Sequence, residues 1–345
     1  MTKGIVTVER FTGAAAEWDA FVRQQAGYTH YHLHGWRDVM RESFRHATPY
    51  LAARTADGAL AGVLPLVGVE SLAFGRYLMS MPFLNYGGPL GTADAVIALT
   101  DVATELATTR RAKLLELRSR IELPVALPVS HRKVTVVLDL PTVSSKPLWD
   151  GFDSNVRRRV RRSMKEGIVV RFGIDLIDDF YKVFQEHMRD LGTPTHGSSL
   201  FRNAVKAFPD AWVGVAYLND VPIAGIVGFA WGTEFEVTWA SALMQHKQIA
   251  ANMHVYWAFM ERCIEQGITL FNFGRCSPDS GTHRFKLQWG SRDETLWWYQ
   301  LRQAGLEDAG TPSPEGKYAE AVKLWQKLPL PVANLLGPHI VRGIP

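Results

Sequence analysis

The runs ALAGVLPLV (59–67) and VPIAGIVGFA (221–230) decide the fold. Each follows another apolar run across a turn: PYLAAR (49–54) and Asp57-Gly58 precede the first, AWVGVAYL (211–218) and Asn219-Asp220 the second. Two apolar runs joined at turn residues read as a β-hairpin. The two hairpins match over Ala61-Gly62-Val63-Leu64 and Ala224-Gly225-Ile226-Val227, so one unit is written twice and those positions are expected to be equivalent. Outward from the first hairpin come a strand, YLMSMPF (77–83), a helix within 93–111 and a strand, KLLELR (113–118). The second is followed by FEVTWAS (235–241), a helix over about 252–266 and ITLFNFG (268–274). In that helix Met253, Tyr256, Trp257, Met260 and Ile264 recur at helical spacing as one buried stripe, and Gly267 supplies the stop.

A chain of 345 residues exceeds one hydrophobic core. The expected division is a domain over 1–143, a connector over 144–167, a second domain over 168–305 and a tail over 306–345. With 47% hydrophobic and 21% charged residues, the chain has ample material for packed cores and is too apolar for disorder. Cys263 and Cys276 lack metal-ligand spacing and no H-E-x-x-H occurs, so no metal site is expected. The opening MTKGIVTVER reads as a strand rather than a secretion signal, and no run reaches the length of a membrane span, which predicts a cytoplasmic chain.

Net charge is only +4 at a pI near 9.0, but NVRRRVRRSMK (155–165) packs six basic residues into eleven. Val156, Val160 and Met164, spaced by four, give that helix a narrow docking face while the arginines surround it. The tail holds TPSPEGK (311–317), the amphipathic EAVKLWQKL (320–328) and the proline-rich PLPVANLLGPHIVRGIP (329–345). Its prolines argue against a long helix, and its apolar content predicts docking on the body or contact with a membrane surface.

Hairpin, strand, helix, strand is the layout of the GNAT acyltransferase unit. HGW (34–36), SMPFLNYGGPLG (80–91), SNVRRRVRRSMKEG (154–167), MRDLGTP (188–194), FNFGRCSPDSGTHRFKLQWG (271–290) and KLPLPVANLLGP (327–338) resemble, in that order, the FemAB family, and within it the proteins associated with exosortase and exopolysaccharide systems. The resemblance runs from about Tyr28 to the C-terminus. It implies an α/β fold of two tandem GNAT-like acyltransferase domains with mixed sheets, and an enzyme that passes an aminoacyl group from aminoacyl-tRNA to an amine on a phosphate-bearing envelope or polysaccharide precursor.

By the same resemblance Phe285 and Lys286 fall on residues that contact the donor's end. Lys286 and Arg284 are the candidate catalytic cations, and Arg275 and Asn252 join Phe285 on the donor side. Arg158 and Arg161 fall where basic residues meet precursor phosphates, a task suited to guanidinium forks. Trp239 and Tyr256 are candidates for an acceptor pocket, with core packing as the alternative. On the strand 235–241 simple alternation puts Trp239 on the opposite side from Glu236. If Lys286 has no such role, it is a surface charge beside a core Phe285. His34, His196 and His283 read as structural.

Two departures bear on chemistry: Asn272 stands where the family's F-D-F-G has a carboxylate, and Cys276 replaces a common Ser with no base in view, so it reads as a small packed side chain. Acyl-CoA enzymes of this layout hold a pyrophosphate on a glycine-rich loop at a helix start. The corresponding QHKQIAANMH (245–254) has no glycine, which favours aminoacyl-tRNA as donor with no bound cofactor. An acyl-CoA N-acyltransferase with a degenerate loop is one alternative; a non-catalytic module binding RNA or anionic lipid through the Arg-rich helix is the other. Aminolysis of an ester needs alignment, cations and an oxyanion partner rather than a strong acid or base.

Overall fold

The computed structural model describes residues 6–303 and 319–344. The opening MTKGI and the TPSPEGK stretch at 311–317 lie outside them. The chain begins with β1 (Thr7–Arg10), α1 (Ala15–Val22), α2 (Gly35–Phe44) and the expected hairpin β2 (Leu51–Arg54) and β3 (Leu60–Leu64). β4 (Leu66–Ser71), β5 (Gly75–Ser80) and β6 (Leu90–Gly91) lead to α3 (Ala93–Thr109), β7 (Leu114–Ser119) and β8 (Val129–Ser130). After β9 (Val134–Asp139) come α4 (Lys146–Gly151), α5 (Ser154–Lys165), β10 (Val169–Phe172), α6 (Ile177–Asp190) and α7 (Ser198–Ala207). The second hairpin is β11 (Trp212–Leu218) and β12 (Val221–Trp231), followed by β13 (Glu234–Ala242), α8 (Ala251–Glu265) and β14 (Leu270–Cys276). α9 (Gly281–Leu287), β15 (Arg292–Thr295), β16 (Trp297–Arg302), α10 (Ala319–Gln326) and α11 (Leu330–Val341) complete the described elements.

These elements form two compact units, each completed by a strand from the other half of the sequence. The first takes the chain to Lys133, the segment from Thr295 and the end from Arg342; the second takes Val134–Glu294 and the tail to Val341. The first holds a four-stranded antiparallel sheet, β1-β2-β3-β6, and a five-stranded sheet, β4-β5-β7-β16-β8, in which β5 and β7 run parallel. The second holds a seven-stranded mixed sheet, β10-β11-β12-β13-β14-β9-β15, with β13 and β14 parallel. Among the described residues the strands fall into separate sheets, as a repeated unit predicts.

The reciprocal strands shift the expected boundaries. β9 and the connector helices lie in the second unit, where Phe152, Val156 and Val160 join the core built on Phe235, Phe259, Phe271 and Trp289. α5 docks through Val156, Val160 and Ser163, while Met164 is 42% exposed. At about 100° per residue, i+7 returns close to the line of i whereas i+8 has drifted roughly 80° from it, so Ser163 takes the place assigned to Met164.

The matched tetrapeptides are also out by one. Counting back from the parallel pair in each unit, Met79 stands where Glu236 does, Val67 where Phe229 does, and Gly62 where Ala224 does. A one-residue slip reverses every side chain on a strand, and the contacts agree. A Cβ on Gly62 would meet Ala95 and Leu99 of α3, whereas one on Gly225 would meet Phe180 of α6. At Pro65, which lacks an N–H, the first unit's long strand breaks into β3 and β4. The second unit keeps β12 whole and absorbs the same bend as a bulge at Val227/Gly228.

In the tail, Pro331 sits in the first turn of α11, where no intrahelical N–H is required, and Pro338 in its last turns. A 12-residue helix therefore forms where the prolines argued against a long one.

Candidate active site

In the second unit β13 and β14 are paired only over Glu234–Glu236 with Leu270–Asn272, yet β13 continues to Ala242 and β14 to Cys276. Beyond Glu236 the two strands are no longer paired, and this fork lies at the end of β13 from which the chain leads into α8. Glu236, fully buried, stands at its throat opposite Asn272. The Asn272 amide is engaged on all sides: Oδ1 accepts from Thr135 Oγ1 (2.7 Å) and the Gly274 N–H (2.8 Å), and Nδ2 donates to Glu234 Oε1 (2.8 Å). An amide can both donate and accept in this way, so Asn272 here is a brace for the strand end.

Lys286 lies on the buried side of α9 at 3% exposure, which overturns the surface-charge alternative. Its ammonium donates to the carbonyls of Gly274 (2.5 Å) and Arg275 (3.0 Å), past the point where β13 leaves β14. Gly274 adopts a φ of +74°, and the pairing of β14 with β9 shifts register between Asn272 and Arg275. Burial lowers the Lys286 pKa to about 8, with Cys276 and Glu236 pulling the other way.

α9 is held from both ends. Ser280 caps it by accepting from the His283 N–H (3.1 Å). His283 Nδ1 accepts from the Asp279 N–H (3.0 Å), which leaves Nε2–H to donate to the Asp293 carboxylate at 2.9 Å. At the other end Gln288 Oε1 accepts from Arg159 of α5 (3.0 Å), tying the Arg-rich helix to the α9 segment. His283, read as structural, orients the helix that carries Lys286.

The remaining sequence candidates fall in three settings. Phe285 is half-buried against Tyr256, ring centroids 5.1 Å apart, and Tyr256 itself is buried among Phe271, Phe273 and Trp289. Trp239 packs on Phe201 and Phe229. Both proposed acceptor aromatics are thus core residues, on opposite faces of the sheet. Arg284 is exposed and donates to the Asp279 carbonyl (2.6 Å); Arg275 and Asn252 are half-buried, the latter in the first turn of α8. Arg158 is exposed and bonded to Asn155 (2.7 Å), and Arg161 lies over the Trp149 ring at 5.3 Å.

The bulge also corrects the facing of the fork strand. Phe229 is paired with Glu236 and touches Trp239, so Glu236 and Trp239 share a face once the extra residue near Thr238 is counted. A lone carboxylate inside FEVTWAS was the signal available in the sequence for Glu236. In the first unit Met79 takes the place of Glu236, and Glu116 opposite it takes that of Asn272. There the fork is sealed: Ser80 Oγ accepts from the Arg118 N–H (2.8 Å), and Arg118 bonds Glu116 (2.7 Å) and the Leu84 carbonyl (3.1 Å). In the second unit the β14 carbonyls beyond the parallel pair are taken by Lys286 instead.

Residues 151–287 match the family model described as an acetyltransferase (GNAT) domain. Among solved structures, FemX aligns with a TM-score of 0.64 at 18% identity, over 85% of this chain and 97% of that one. The C-terminal domain of a putative lysylphosphatidylglycerol synthetase from Agrobacterium fabrum aligns at 0.55 with 10% identity, over 95% and 96% of the two chains. L-PGS from Bacillus licheniformis aligns at 0.55 with 11% identity, over 94% and 97%. At these identities the likeness is one of fold. Among curated proteins none matches the sequence.

Proposed function

From the premise that this chain is an acyltransferase, with its GNAT domain at residues 151–287, we propose that it transfers an aminoacyl group from aminoacyl-tRNA to an amine on a phosphate-bearing envelope or polysaccharide precursor. The finer assignment is to the FemAB-like proteins of exosortase and exopolysaccharide systems. The fork between β13 and β14 supports a donor site in the second unit. The observation that carries the choice of donor is the segment entering α8. Met244–Ile249 forms a 3₁₀ turn, with the His246 N–H donating to the Leu243 carbonyl (3.1 Å) and the Ala250 N–H to that of Lys247 (3.2 Å). The His246 and Ala250 N–H groups, used within the turn, are not offered to a pyrophosphate, and with no glycine in 245–254 the segment suits a CoA donor less well than a glycine-rich loop would.

In the reaction the acceptor amine attacks the ester carbonyl carbon. The C–N bond forms, the C–O bond to the 3′-oxygen breaks, and that oxygen takes up the proton the amine loses. An ammonium has three N–H donors; with two of those of Lys286 on the Gly274 and Arg275 carbonyls, one remains for the oxyanion that develops at the fork. Arg158 and Arg161, exposed on α5, supply cations for acceptor phosphates. Purified protein incubated with charged total tRNA, and separately with an acyl-CoA panel, each with cell-envelope extract, tests the reading. Loss of the ester from tRNA supports it; turnover of acyl-CoA alone replaces it with the CoA-dependent alternative.

A further inference from the structure

α11 is turned inside out. The face it presents to its own unit carries the small residues Ala333, 1% exposed, and Gly337, where an added Cβ would lie 2.8 Å from Thr195 N. The large apolar residues point the other way: Val332, Leu335 and Leu336 are 39%, 68% and 43% exposed, and with exposed His339 they recur at i, i+3, i+4 and i+7 along one face. The whole helix, LPVANLLGPHIV, contains no Asp, Glu, Lys or Arg. On the preceding helix, Leu324 is 67% exposed between the exposed Lys323 and Lys327. A helix in water buries its leucines and exposes charge; α11 does the reverse, and the segment just before it in sequence exposes a leucine flanked by lysines.

We propose that the outer face of α11, together with Leu324, docks on the surface of an anionic lipid bilayer, the leucines entering the headgroup–acyl boundary and Lys323 and Lys327 meeting lipid phosphates. Size and charge favour a bilayer over a protein partner. The four exposed side chains amount to little more than two fully exposed ones, far below the roughly 20 residues per side of a stable protein interface. Shallow insertion needs only a short apolar face with flanking cations. Among the described residues no helix is long and apolar enough to cross a membrane, so the contact is one of lying on the surface. This inference goes beyond the acyl-transfer reading and does not depend on it.

Flotation of the full chain with vesicles of phosphatidylcholine plus phosphatidylglycerol, and with phosphatidylcholine alone, reads the contact directly. Wild type is expected to float with the anionic vesicles, less so as salt rises. The bound fraction should drop about tenfold or more in Leu335→Ser/Leu336→Ser, and also in Leu324→Ser, a change on the other helix that guards against local misfolding. Lys323→Gln/Lys327→Gln should weaken binding to anionic vesicles only. Because these side chains point outward, ester loss from free charged tRNA should be the same in every variant, which separates a failure here from a failure of the donor assignment. Absence of flotation would overturn the proposal. So would flotation that survives both leucine changes, which would move the contact to the Arg-rich helix, or leucine-dependent self-association in sedimentation without vesicles, which would make the occupant a second copy.

Discussion

Lys286→Met removes a buried ammonium while keeping most of its aliphatic stem, and the structure assigns two opposing terms to that change. Burial holds the Lys286 pKa at about 8 against an ordinary 10.5. Between those values the unfolded chain carries a proton that the folded chain lacks, so folding stability rises with pH across the window. At 1.36 kcal/mol per pH unit the rise is about 3 kcal/mol, and below pH 8 the full cost of burying the charge is present. Against it stand the hydrogen bonds to the Gly274 and Arg275 carbonyls, whose loss leaves buried acceptors unsatisfied at about 1–3 kcal/mol each. At pH 7 the terms oppose and the variant should lie within about 2 kcal/mol of wild type. Near pH 10 most of the charge penalty has gone from wild type, and the variant should be the less stable by about 2–4 kcal/mol. Urea unfolding at the two pH values measures both differences; parallel stability profiles for the two proteins would refute the desolvated-ammonium account. In turnover, kcat and kcat/KM should fall together by roughly 10²-fold or more, while unaltered turnover would leave Lys286 a purely structural brace.

Arg158→Ala with Arg161→Ala should raise the acceptor KM and weaken salt-sensitive acceptor binding, with stability changed by less than about 1 kcal/mol because both side chains are exposed; wild-type kinetics would make α5 a solvated face. Gly228→Ala should cost about 1–3 kcal/mol in urea unfolding, since its Cβ would lie 2.3 Å from Glu236 O and 2.4 Å from the Phe235 ring, and an unshifted midpoint would show that the bulge yields easily. His283→Ala should lower kcat more than it raises KM, because the Asp293 bond orients α9 rather than touching substrate; equal effects on both would place His283 among the binding residues.

Apolar runs and turn residues sufficed to read the repeated hairpin, strand, helix, strand order, because period and turn chemistry are local. The exchange of β9 and β16 was not legible: a strand's own residues do not say which half of the chain supplies its neighbour. The slip at Ala61-Gly62 against Ala224-Gly225 has the same origin, since the identity of four letters carries no register, whereas Pro65 and the bulge at Gly228 do. Lys286 was singled out by its place after Phe285 in the motif, yet its burial depends on Gly274 turning a carbonyl toward α9, which no spacing reveals. Trp239 and Tyr256 show the converse, since aromatic residues near a motif fill cores more often than pockets, and here both pack inside.

Mass spectrometry of the amine-bearing precursor fraction, after incubation with tRNA charged with isotope-labelled amino acids, reads the transfer itself. The expected product is an acceptor heavier by one labelled aminoacyl residue joined as an amide, formed by wild type and reduced about 10²-fold in Lys286→Met. A labelled product that forms only when acyl-CoA replaces charged tRNA would contradict transfer from aminoacyl-tRNA.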